Sequence, residues 1–200
     1  MVHLAFVIAG NLVPLLGVIF FDWSPATIVV VYWAETLVNG TANVARIYLH
    51  RRANWGGEHR KSFFGKSSRR TTYLRSYALF FYWFTIGHGI FLLAILEGVS
   101  RGSPQRGPFI GIDLGGFGRA VAALGVLAMT ELVIDSLRIA DQPFAWLKER
   151  VDRSMRRVIM MHLAILGGAI LIAKFGTSTS LLVALIIVKT GFDVTGERPS

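Results

Sequence analysis

Long apolar segments restrict what this sequence can fold into. Six of them approach the length of roughly 20 residues that a helix needs to cross a hydrocarbon core of about 30 Å. They cover about 3–21, 25–49, 74–96, 116–137, 158–175 and 180–194. Because the bilayer core offers no water to backbone polar groups, a spanning segment must satisfy them internally as a helix. The sequence therefore predicts an all-α protein, a polytopic membrane bundle of about six transmembrane helices in a single domain over 1–200.

Composition agrees with this interpretation and narrows the chemistry. Of the 200 residues, 53% are hydrophobic and 16% are charged. Six spans and their loops use nearly the whole chain, so no soluble catalytic domain is expected. Cysteine is absent, which excludes disulfides, thiolate metal sites and cysteine nucleophiles. Any metal site would have to use histidine and carboxylate ligands.

The positions of lysine and arginine predict the orientation. Fifteen lie in or beside two loops on one side of the predicted bundle: Arg46, Arg51, Arg52, Arg60, Lys61, Lys66, Arg69, Arg70, Arg75, Arg138, Lys148, Arg150, Arg153, Arg156 and Arg157. The opposite side has Arg101, Arg106, Arg119 and Lys174. The positive-inside rule then places both termini and the basic loop at 50–73 in the cytoplasm. The net charge of +9 is thus a topology signal and does not indicate nucleic-acid binding.

The basic loop at 50–73 is also expected to contact membrane lipids. Its cations are mixed with Trp55, Phe63 and Phe64. Basic segments beside membrane helices are attracted to anionic headgroups. Anionic lipids are therefore the expected partners of the basic loops.

Polar side chains inside the predicted spans carry the most information about function. A charge at the bilayer centre costs several kcal/mol unless it is paired, hydrated or neutralised. The spans contain nine such polar or ionisable residues: Glu35, Asn39, Asn43, His88, Glu131, Asp135, His162, Lys189 and Asp193. Each lone membrane carboxylate is a candidate functional group.

Their spacing places many of these residues on common helix faces. A polar stripe on the second span advances in steps of three and four residues through Tyr32, Glu35, Asn39, Asn43, Arg46 and His50. Glu131 with Asp135 and Lys189 with Asp193 are i,i+4 pairs. Because lipid cannot satisfy such groups, the polar faces are expected to meet one another. We expect a polar cavity open to the cytoplasm and closed by the apolar outer halves of the last two spans.

The first candidate function is a proton- or cation-linked channel or transporter. Buried carboxylates have raised pKa values and histidine titrates near neutrality, so both suit proton or cation movement. The pathway would use the polar residues of three spans: Glu35, Asn39, Asn43, Glu131, Asp135, Lys189 and Asp193.

The second candidate is an intramembrane metal-dependent enzyme acting on a lipid-like substrate. Carboxylates and imidazoles suit a divalent ion such as Zn, Fe or Mn. The candidate ligands are Glu35, His88, Glu131, His162 and Asp193. They come from five spans, and no HExxH or similar motif places two of them on one turn.

The third candidate is an accessory or assembly subunit of a larger membrane complex, or a homo-oligomer. In that case the polar groups satisfy one another or a bound lipid or pigment. The residues themselves leave the three candidates open.

Three segments resemble a known family: YWAETLVNGTANVARIY, MMHLAILGGAI and LLVALIIVKTGFDV. Together they look like an uncharacterised family of small prokaryotic integral membrane proteins, catalogued as a domain of unknown function. The resemblance implies a multi-pass protein of a prokaryotic inner or plasma membrane. It highlights Glu35, Asn39, Asn43, His162, Lys189 and Asp193 and implies no particular activity.

Overall fold

A computed structural model describes residues 19–65, 72–102, 112–156 and 158–159, together with residues 9, 12–14 and 16–17. Within those ranges the chain forms helices joined by short connections and contains no strand. The predicted all-α class is therefore confirmed. The sixth predicted span, and the fifth apart from residues 158–159, lie outside the described residues.

Five α-helices and two 3₁₀ turns follow one another within the described ranges. They are α1 (Leu12–Phe21), α2 (Pro25–Ala53), a 3₁₀ turn (Gly57–Arg60), α3 (Tyr73–Gly102), α4 (Leu114–Ser136), a 3₁₀ turn (Ile139–Asp141) and α5 (144–156). The start of α2 follows from its sequence, because the Ser24 hydroxyl accepts from the Thr27 N–H at 3.1 Å and Pro25 occupies the first turn.

Helix α2 packs along α4, and the two helices run in the same direction. Ile28 and Val31 near the start of α2 lie in one apolar cluster with Ala120 and Leu124 near the start of α4. Trp23 belongs to the same cluster, and its indole lies directly over Gly116, where any side chain would overlap the ring. The parallel arrangement brings the polar C-terminal halves of α2 and α4 to the same end of the protein.

Helix α3 packs against α2 in the opposite direction. The Trp33 indole N–H donates to the carbonyl of Thr85 at 2.9 Å, and Gly89 lets the same ring approach α3. About two turns further along α2, the buried ring of Phe81 lies over Gly40. A small residue is required there because the ring occupies the space of a side chain.

Helix α5 was not expected, since 138–157 was interpreted as a basic loop. Leu147, Val151 and Met155 follow at four-residue steps and are buried in a cluster with Ile47 of α2 and Tyr77 of α3. This apolar face gives α5 a reason to fold onto the bundle, whereas the loop interpretation considered only its charges. The correction places Arg150 on a packed helix.

Two of the described helices are long and apolar enough to cross a membrane by length and composition: Tyr73–Ala94 and Leu114–Ser136. They correspond to the third and fourth predicted spans. Helix α2 has 29 residues but does not meet the same criterion. The polar residues of its stripe lower the mean hydropathy of α2, so the helix is long enough to cross a membrane but less apolar than α3 and α4.

Candidate functional site

Arg46 on α2 contacts both carboxylates that the sequence placed on α4. Its Nε donates to Asp135 Oδ2 at 2.6 Å, and its Nη2 donates to Glu131 Oε2 at 3.0 Å. The parallel packing of α2 and α4 makes this contact, because it aligns the C-terminal halves of both helices. The polar faces of the second and fourth predicted spans thus meet.

Arg150 on α5 binds the same two carboxylates from the other side. Its Nη2 lies 2.7 Å from Glu131 Oε1 and 2.9 Å from Asp135 Oδ2. Two cations and two anions from three helices therefore form one closed group, which we call the ion-pair network: Arg46, Glu131, Asp135 and Arg150. Their side chains are only 5%, 13%, 11% and 16% exposed, so solvent screens these contacts weakly.

The charges of the network depend on one another. Burial lowers the pKa of the Arg150 guanidinium, the Glu131 carboxylate opposes that shift, and Arg46 adds to it. An arginine starts from so high a pKa that the side chain stays cationic at neutral pH. The carboxylates are what allow two guanidinium groups to be buried together.

A small polar cavity adjoins the ion-pair network. It has a volume of about 30 Å³, which is room for roughly one water molecule. Its lining combines cations, a carboxylate, amides and a hydroxyl: Asn39, Asn43, Arg46, Glu131, Arg150, Arg153 and Ser154. Asn43 is buried and its Oδ1 accepts from Arg46 Nη1 at 2.9 Å, so it also orients the guanidinium.

The other predicted pathway and metal residues are not all gathered at this cavity. Glu35 is half-buried on α2 and is not part of the lining. On α3, His88 Nδ1 donates to the Phe84 carbonyl at 2.9 Å, and its ring packs on the Phe84 ring. His162, Lys189 and Asp193 lie outside the described residues. Within the part that the structure describes, no three histidine or carboxylate side chains are grouped as a metal site.

A buried pair of histidines lies beyond the network, at the end of α2. His50 Nε2 is 2.9 Å from the Gln142 carbonyl oxygen, and His50 Nδ1 is 2.9 Å from His59 Nε2. A carbonyl only accepts, so His50 carries its proton on Nε2, and in the neutral pair His59 donates from its own Nε2. Both side chains are about 1% exposed. The pair ties the 3₁₀ turn after α2 to the turn after α4.

The histidine pair is expected to make stability fall in acid. Burial first, then the charges of His50 and Arg51, lower the pKa of His59 from 6.5 to about 4. Between these values the unfolded chain binds a proton that the folded chain does not, so stability is full above about pH 6.5 and decreases toward pH 4. We expect a loss of about 2–3 kcal/mol by pH 4.5, measured as a lower unfolding temperature in detergent. H59Q should flatten this dependence, and an identical pH profile in the variant would contradict it.

Sequence reasoning missed two parts of this arrangement. Arg150 was counted only as a topology residue, although the four-residue spacing of Leu147, Val151 and Met155 would have revealed its helix. His59 lies in a glycine-rich connection with no periodicity, and no sequence signal pairs it with His50.

The fold and site define a class: an all-helical protein in which two of the described helices are apolar enough to cross a membrane and three helices share a largely buried ion-pair network. The chain belongs to a family described as a family of unknown function (DUF6498), whose model matches residues 1–198. Membership in an uncharacterised family, as the sequence motifs suggested, is therefore confirmed. Comparison with curated proteins and with solved structures gives no significant match.

Proposed function

We propose that this protein is a multi-pass protein of the cell membrane, with about six spans and both termini in the cytoplasm. Support comes from the surface of α3 and α4. In the most apolar stretch of 18 residues, only 28% of the residues of α3 and 11% of those of α4 are buried inside the protein. A core helix of a soluble protein would be mostly buried. Large apolar side chains face outward on both helices: Leu79, Trp83, Ile86, Ile90, Leu93, Val126, Met129 and Val133. Such a surface suits lipid.

The distribution of charge supports the orientation. The end where α2 and α4 finish carries the cations of the 51–61 segment and of α5, whereas Arg119 lies near the start of α4 at the opposite end. The positive-inside rule assigns the basic end to the cytoplasm. The ion-pair network and its cavity then lie at the cytoplasmic end of the bundle.

Within this membrane protein, we infer a proton-linked transport function for the ion-pair network. One observation carries the inference: two largely buried carboxylates are each held by two arginines beside a water-sized cavity. Protonation of Glu131 would remove one of the two negative charges that hold Arg46 and Arg150 together. The network joins α2, α4 and α5, so a protonation step there changes the packing of three helices at once.

The cavity favours protons over metal cations. Three guanidinium groups, from Arg46, Arg150 and Arg153, border it, and Glu131 is the carboxylate among its lining residues. A divalent ion in that position would be repelled by the arginines and would have to displace them from Glu131. A proton needs no coordination sphere and adds to a carboxylate oxygen directly.

A role as an accessory subunit is the second candidate, and one observation favours it. The four charges of the network balance one another, as they would if they only held three helices together. The two functions differ in what happens to the carboxylates: a structural network keeps them ionised, whereas a transport site must let one of them take up a proton.

Proton flux into proteoliposomes tests the proposal. Purified protein is reconstituted with an internal pH dye, and a potassium diffusion potential drives protons inward. We expect a flux above that of empty vesicles, and a loss of at least about tenfold in E131Q, because the amide cannot exchange a proton. D135N should reduce the flux as well.

The matched control is D152N on α5. Asp152 also pairs with a cation, Lys148, at 2.6 Å, but that pair is exposed. The control variant should keep the wild-type flux. If wild-type vesicles carry no more protons than empty ones, or if E131Q conducts as well as the wild type, the transport proposal is wrong and the accessory role is favoured.

A further inference from the structure

Cations and an indole converge at the last turn of α2 and the segment that follows it. We call this surface the basic–aromatic face and define it by Arg51, Arg52, Trp55, Arg60 and Lys61. Arg52, Arg60 and Lys61 are exposed, and Trp55 is 49% exposed although it is one of the largest apolar side chains. The ion-pair network does not involve this face, so its chemistry needs a separate explanation.

Two guanidinium groups are held against the same indole. The Arg51 Cζ lies 4.5 Å from the Trp55 ring centroid, and the Arg60 Cζ lies 5.8 Å from it. Cation–π contacts hold guanidinium groups in place while leaving their N–H donors unused. Arginine N–H groups in a fixed arrangement suit the oxygens of a phosphate.

The acidic side chains of the described residues do not neutralise this face. Glu58 pairs with Lys61 at 2.7 Å, and both are about half exposed. Among the ion pairs of the described residues, none involves Arg51, Arg52 or Arg60. The face therefore keeps an excess of positive charge and requires an anion for full pairing.

The buried histidine pair makes the face rigid. His59 stacks nearly parallel to Trp55, with an angle of 9° between the rings, and hydrogen-bonds to His50. Phe144 packs edge-on against both imidazoles. Asn54 Nδ2 donates to the Ala140 carbonyl at 2.7 Å. The indole and its arginines are thus fixed to α2 and to the turn after α4, which reduces the entropy lost on binding a ligand.

The location points to lipid as the source of the anion. The face lies between the end of α2 and α3, whose apolar stretch Tyr73–Ala94 is long enough to cross a membrane. Phe64, three residues after Lys61 in the chain, and Phe80 on α3 are exposed and are in edge-to-face contact with each other. Tryptophan and arginine side by side at a helix end match the headgroup region of a bilayer.

We propose that the basic–aromatic face binds the phosphate group of an anionic phospholipid, with Arg51 and Arg60 as the phosphate ligands, Trp55 at headgroup level and the His50–His59 pair as the positioning group. This inference rests on the membrane-spanning part of the proposed function and is independent of proton transport. The histidine pair would then position Trp55 and its two arginines without contacting the phosphate itself.

Native mass spectrometry of the detergent-purified full chain tests the proposal. The protein is titrated with phosphatidylglycerol or with phosphatidylcholine, which share acyl chains and differ in net charge. We expect the wild type to retain phosphatidylglycerol at least about fivefold better than phosphatidylcholine, and R51Q/R60Q to lose that preference. Adding inorganic phosphate should displace little of the bound lipid, because free phosphate cannot make the contacts with the aromatic side chains that a lipid makes.

R119Q is the matched control. Arg119 is also exposed, and its Cζ lies 5.3 Å from the Phe21 ring centroid, but it stands near the start of α4 at the opposite end of the bundle. It should keep the wild-type preference. H59Q keeps every charge of the face and should weaken retention of phosphatidylglycerol without changing retention of phosphatidylcholine, which a general loss of stability would not do.

Three results would overturn the proposal. The first is equal retention of phosphatidylglycerol by the wild type and R51Q/R60Q. The second is efficient displacement of lipid by inorganic phosphate, which would identify a site for a soluble anion. The third is retention of neither lipid, which would contradict membrane insertion itself, whereas a failure of the proton-flux assay would leave the lipid preference intact.

Discussion

Replacing Arg46 by alanine is expected to lower the free energy of unfolding by about 3–5 kcal/mol. The side chain is 5% exposed and binds Glu131 and Asp135 together. Its removal leaves two buried carboxylates to share Arg150 and deprives Asn43 of its donor. The loss is measured from thermal or denaturant unfolding of the detergent-purified protein at neutral pH.

Lys148→Ala serves as the control for Arg46→Ala. It removes a cation from a pair of the same short distance, 2.6 Å, but both partners are much more exposed. Exposed pairs contribute at most about 1 kcal/mol, so the variant should unfold close to the wild type. Equal stability of Arg46→Ala and the wild type would mean that water reaches the network and satisfies its carboxylates.

Replacing Phe81 by alanine is expected to cost about 3–5 kcal/mol of stability. The ring is fully buried in the cluster that joins α2, α3 and α5, and it lies over Gly40. Its loss leaves a void between α2 and α3 that neither helix can close without moving the other. Unfolding in detergent measures the effect.

A double-mutant cycle with Gly40 tests that packing directly. In the wild type, Gly40→Ala should cost about 1–3 kcal/mol, because its methyl group would overlap the Phe81 ring. In the Phe81→Ala background the same methyl group enters the void, so its cost should disappear. Additive effects of the two substitutions would show that the helices do not meet at these residues.

Much of the secondary structure could be predicted from hydropathy. The third and fourth predicted spans correspond to α3 and α4, and the second corresponds to α2, whose polar stripe was visible from its spacing. Apolar length is a property of the chain itself, so it needs no knowledge of neighbours. The same reasoning failed for α5, because a short amphipathic helix among many cations resembles a charged loop when only charge is considered.

The candidate site could be predicted only in part. Asn43, Glu131 and Asp135 were named from their positions on polar faces, and all three belong to the network or its cavity. Glu35 and His88 were named on the same ground and are not part of that cavity's lining. Spacing shows which side of a helix a residue occupies, but it does not show which helix lies opposite.

By itself the sequence determined that the chain is helical, that two of its described helices are apolar enough for a membrane, and that polar groups follow one face of α2. Tertiary structure alone decided that Arg46 and Arg150 share Glu131 and Asp135, and that His50 meets His59. The physical reason is the separation along the chain over which each effect acts. Hydropathy and periodicity act between near neighbours, whereas each of these contacts joins separate elements, and packing decides which of them meet.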